Sequence, residues 1–73
     1  MLRDIVPEKI VQKRGERSRK AIAEASGGVV TEQDLYCYEK NLHRPSMKKL
    51  PYLLKGLGVK YEEITEPVEL AVS

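Results

Sequence analysis

The sequence predicts an all-α domain: a five-helix bundle followed by a short C-terminal strand or extended tail. Three observations point there. Apolar residues recur at helical spacing, most clearly at Met47, Leu50, Leu53, Leu54 and Leu57. Helix-capping residues stand ahead of the candidate helices at Ser18, Thr31 and Ser46. Glycines punctuate the chain at Gly15, Gly27-Gly28 and Gly58, where each helical pattern stops.

The first helix starts at Val6-Pro7, because proline is tolerated at the first helical position, and Ile10 and Val11 form its apolar stripe up to Gly15. Ser18 caps a second helix over residues 19–25, with Ile22 and Ala23 facing inward. Gly27-Gly28 supplies the positive φ that a sharp turn needs. Val29-Val30 reads as a strand fragment or, preferably, as an apolar plug in the turn, since Thr31-Glu32-Gln33-Asp34 follows as a capping box. The third helix then runs to about Lys40, with Leu35 and Tyr38 on the core side and Asn41 in the left-handed position after it. Arg44-Pro45-Ser46 restarts the pattern with Ser46 as cap, and Pro51 predicts a kink or an irregular first turn in helix four. Tyr61 to about Ile64 is the fifth helix. Beyond Glu66-Pro67, Val68 to Val72 alternates with a strand period, and no other strand is predicted to pair with it. The domain is therefore placed at residues 1–65, and 66–73 is a tail whose strand is a candidate dimerisation element.

Size and composition bound the function. A chain of 73 residues holds one domain, and with four Tyr and no Phe or Trp its core must be aliphatic. The net charge is only +2, but the charge is unevenly distributed. Lys9, Lys13, Arg14, Arg17, Arg19 and Lys20 are opposed only by Glu16, and Lys40, His43, Arg44, Lys48 and Lys49 form a second basic group. The end of the chain is acidic, with Glu62, Glu63, Glu66 and Glu69. Cys37 is the only cysteine, so no internal disulfide forms, which suits a reducing cytoplasm. No signal peptide and no membrane-spanning run is read. Cys37 and His43 are too few soft ligands for zinc, and Gly27-Gly28 lacks the Lys-Ser/Thr of a phosphate loop. No catalytic residue, metal or cofactor is expected, and the chain is not read as an enzyme.

Two helices joined by a glycine-containing turn form the unit that sets a helix into a DNA major groove. The flanking run is more specific. Ser18-Arg19-Lys20-Ala21-Ile22-Ala23-Glu24, Val30 to Glu39, Lys40-Asn41, Arg44-Pro45-Ser46 and Leu57-Gly58-Val59 together resemble the Cro and phage-repressor (XRE-like) type of helix-turn-helix domain, over about residues 5 to 65. That resemblance implies a lambda-repressor-like helix-turn-helix bundle. It also implies sequence-specific binding of double-stranded DNA by a transcriptional regulator, most simply a cytoplasmic, nucleoid-associated repressor working as a homodimer.

By the same resemblance the exposed face of helix 31–40 supplies base contacts from Gln33, Tyr36, Glu32 and Cys37. Phosphate contacts come from Arg19, Thr31, Lys40, Asn41, His43 and Arg44, with the amides at the start of helix two aimed at the same backbone. Gln33 suits adenine, whereas Glu32 serves either cytosine or the helix dipole. Tyr36 reads a base or covers the end of helix one, and Cys37 is otherwise an ordinary thiol. The chain departs from the family in a longer turn at 26–29 and in the acidic Glu32 and Asp34. It also has Gln12 where the family commonly has arginine, leaving Lys13, Arg14 or no residue to pair with Glu39. The alternative use of the same fold is a protein-interaction adaptor or antitoxin-like module; a structured-RNA binder ranks below both.

Overall fold

The computed structural model describes residues 3–68. The chain runs β1 (Arg3–Ile5), α1 (Pro7–Arg14), α2 (Arg19–Ala25), α3 (Glu32–Glu39), α4 (Leu50–Leu57), a 3-10 turn at Tyr61–Glu63 and β2 (Thr65–Pro67). This corrects the predicted fold class. Four α-helices and a two-stranded antiparallel sheet replace the all-α, five-helix bundle.

The reason lies at the two ends of the chain. After Tyr61 the backbone closes one turn only, with the Glu63 carboxylate accepting from the Lys60 amide at 2.6 Å. Ile64 and Thr65 are then buried one after the other, which an extended segment allows when it is covered on both sides. Pro7 keeps Val6 extended, and the three residues before it pair with β2 in the register Arg3↔Pro67, Asp4↔Glu66 and Ile5↔Thr65. Arg3 fastens the pair, its Nε donating to Thr65 Oγ1 at 2.8 Å while that hydroxyl donates to the Tyr61 carbonyl at 2.8 Å. Among the described residues the C-terminal strand is Thr65–Pro67, and its partner is the N-terminal strand of the same chain. Val68 follows the strand, and the remainder of the proposed dimerisation element, 69–72, lies outside the described residues.

The helices that position the site start and stop where local chemistry demands. In α2, Ser18 Oγ accepts from the Ala21 amide at 3.0 Å. Past its end, the buried Ser26 hydroxyl donates to the Ala23 carbonyl at 2.6 Å and accepts from the Val30 amide at 3.2 Å. Gly27 and Gly28, at φ 80° and 82°, carry the chain around this serine, and Val30 drops fully into the core. Thr31 and Asp34 then exchange both bonds of a capping box to open α3. Asn41 leaves it at φ 60°.

The start of α4 needs a second correction. Ser46 Oγ does accept from the Lys49 amide at 3.2 Å, but it closes a separate turn, and the helix begins at Leu50. Pro51 has no amide to return to that turn, so the two segments do not merge. Met47 therefore leaves the predicted apolar face and is 92% exposed. Ile10, Ile22, Val30, Leu35, Tyr38, Leu53, Leu57 and Ile64 make the core, aliphatic but for one tyrosine. Gly56 lets α4 lie directly on α2: a Cβ there would stand 2.8 Å from the Ile22 carbonyl oxygen.

Candidate nucleic-acid interface

Helix α3 divides cleanly into two faces. Leu35 and Tyr38 point into the core, while Glu32, Gln33 and Tyr36, with Lys40 at the C-cap, are exposed. These four positions follow helical spacing and form one outward stripe.

The three carboxylates of α3 have different fates. Asp34 is engaged by the cap and by Lys49, whose Nζ lies 2.7 Å from it. Partial burial raises the Asp34 carboxyl, but the Lys49 ammonium and the Thr31 amide outweigh this and hold it below its ordinary value. Glu39 has a side chain only 2% exposed, with Oε1 2.9 Å from Arg14 Nη2 and Oε2 3.1 Å from Arg19 Nε. The partner of Glu39 is thus Arg14, joined by Arg19 from α2. Glu32 alone stays exposed, with no ion pair among the described residues.

Between the start of α2 and the outer face of α3 lies an open cleft of about 620 Å³, lined in part by Ser18, Arg19, Lys20, Glu32, Gln33 and Tyr36. The Arg19 guanidinium carbon lies 5.3 Å from the centre of the Tyr36 ring, and Lys40 Nζ lies 6.0 Å from it. Such distances fall within cation–π range. The cleft is cationic on its α2 side, while its α3 side carries the Glu32 carboxylate beside the polar Gln33 and Tyr36.

Arg19, Glu32, Gln33 and Tyr36, named from the sequence, meet in this cleft. Thr31 lines a smaller neighbouring hollow with Lys20 and Glu32, and its hydroxyl is occupied by the Asp34 amide at 3.0 Å. Cys37, expected among the base contacts on the exposed face, is corrected to a buried position: it is 9% exposed on the side of α3 that packs inward, and the Gln33 amide donates toward its sulfur at 3.7 Å. Lys40 flanks Tyr36, whereas Asn41, His43 and Arg44 are exposed in the loop beyond and do not line the cleft. Arg44 pairs with Asp4 of β1.

Sequence reasoning did not place Ser18, Lys20 or Arg14 at the site. Lys20 was visible as a second cation in the first turn of α2. The convergence of Arg14 and Arg19 on one carboxylate was not, because it depends on the crossing of α1, α2 and α3.

Comparison with protein-family models, curated proteins and solved structures finds no match to this chain. Among the described residues no helix is long and apolar enough to cross a membrane, and no three His, Cys, Asp or Glu side chains gather as metal ligands.

Proposed function

We propose that the chain is a sequence-specific, double-stranded DNA-binding transcriptional regulator of the phage-repressor helix-turn-helix type, acting as a repressor. In this reading α3 enters the major groove. Gln33 reads a base edge, with Glu32 as a cytosine acceptor beside it, and Arg19, Lys20 and Lys40 contact phosphates. One observation supports it above the rest. Two of the three α3 carboxylates are matched by cations inside the fold, so the outward stripe bordered by Arg19 and Lys20 does not oppose a polyanion with a full acidic set.

A module of this size meets few phosphates, so two copies on a pseudo-palindromic site are proposed. The working place is the cytoplasm, on the nucleoid, and no catalytic role or cofactor is assigned. Selection of genomic fragments by the purified chain tests the reading, repeated with Gln33→Ala and Arg19→Ala. The first variant should lose sequence selectivity; the second should bind all selected fragments more weakly. Recovery of no enriched sequence would favour the adaptor or antitoxin-like use, for which the unpaired Glu32 and the 61% exposed Leu42 speak.

A further inference from the structure

We infer that Tyr36 is a positioning residue rather than a base reader: its ring aligns Arg19 and Lys40, from two different segments, as one phosphate grip. This deepens the DNA-binding reading and rests on it. Arg19 is held from two directions. Its Nε edge donates to the buried Glu39 carboxylate at 3.1 Å, and its guanidinium carbon lies 5.3 Å from the Tyr36 centroid. Glu39 is shared with Arg14, so the cluster keeps one cation more than its carboxylate balances. Lys40 belongs to the chain leaving α3 and reaches the same ring at 6.0 Å.

An isolated arginine or lysine on a surface must lose its rotamer freedom on binding a phosphate. Here the ring and the Glu39 carboxylate have already restricted Arg19, and the ring also restricts Lys40. A tyrosine 41% exposed and flanked by two cations has a flat face in use, and that face would otherwise be free to meet a base. The phenol hydroxyl is not required for this role. The aromatic ring is.

The test is a double-mutant cycle read by anisotropy on short labelled duplexes of several sequences across a salt series. Tyr36→Phe should bind as the parent does. Tyr36→Leu should weaken every duplex alike, roughly two- to fivefold per cation released, and flatten the log–log salt slope by up to about one unit for each lost phosphate contact. In an Arg19→Ala background the same Tyr36→Leu change should lose part of its effect, because the residues act together. In the free protein, the Arg19 side-chain protons should be shifted upfield by the ring and should move back in Tyr36→Leu. Loss of preference for one base with the salt slope unchanged would make Tyr36 a reader and overturn the inference. Strict additivity in the cycle, or an unshifted Arg19, would also overturn it while leaving DNA binding intact. A parent protein that binds no duplex at low salt would overturn the DNA reading, and this inference with it.

Discussion

Each carboxylate oxygen of Glu39 receives a different arginine, and its side chain is almost wholly removed from solvent. Removing a partner from such a pair leaves charge without compensation, which costs far more than losing an exposed bridge. Glu39→Ala should therefore lower the unfolding free energy by about 3 kcal/mol, measured by urea denaturation; a loss below about 0.5 kcal/mol would put the cluster in the class of surface pairs. Asp34 gives a pH signature. Its folded-state pKa is depressed below the ordinary 3.8, so its contribution is fully present above that value and is lost as pH falls through the folded-state value. The stability difference between the parent and Asp34→Asn should accordingly be constant near neutrality and shrink below about pH 4. An unchanged difference down to the acid limit would remove the Lys49 pair from the account.

Among the elements, α2 and α4 are joined most tightly at Gly56, where the Ile22 carbonyl leaves no room for a methyl group. Alanine is the better helix former, yet Gly56→Ala should destabilise by about 1–3 kcal/mol because the obstacle is backbone and cannot rotate away. A thermal scan showing stabilisation would mean the helices separate freely. Thr65→Val tests the sheet: it keeps the shape but removes the hydroxyl that accepts from Arg3 and donates to Tyr61. A loss of about 1–2 kcal/mol is expected, with faster amide exchange in β1.

What could be read in advance divides along the same lines. Ser18, Thr31 with Asp34, and Gly58 fixed helix ends because caps act through bonds to near neighbours. The α2 span and the outward positions Glu32, Gln33 and Tyr36 of α3 were legible for that reason, whereas Cys37, read as outward, is buried. The sheet was not, since Arg3–Ile5 is too short to show a period and its pairing spans almost the whole chain. The disturbance at Pro51 was legible, but not that it would split off the Ser46 turn and leave Met47 exposed. The sequence left Arg14 open as a partner of Glu39, but the same limit hid Arg19's share in the cluster, whose three members come from three helices.

For the whole molecule, the sheet ties the two ends of the described chain together and leaves the α2–α3 corner on its own helical support. Acidic residues gather toward the C-terminal end, at Glu62, Glu63 and Glu66, and Lys9 and Lys13 are partly matched there by Glu66 at 3.2 Å and Glu63 at 3.7 Å. The cleft keeps Lys20 and the surplus cation of the Glu39 cluster, with Lys40 beside it. A net charge of +2 is thus compatible with a local cationic surface, because Glu39 takes two arginines and Asp34 is matched by Lys49, leaving more cation than free carboxylate at the cleft. The central claim, that this surface binds a DNA backbone, is tested most directly by the salt dependence of duplex binding. With Arg19, Lys20 and Lys40 each meeting a phosphate, log affinity should fall against log salt with a slope of roughly −3 per bound copy. Arg19→Ala should reduce that slope by about one unit. A flat slope, or no duplex binding at low salt, would contradict the account.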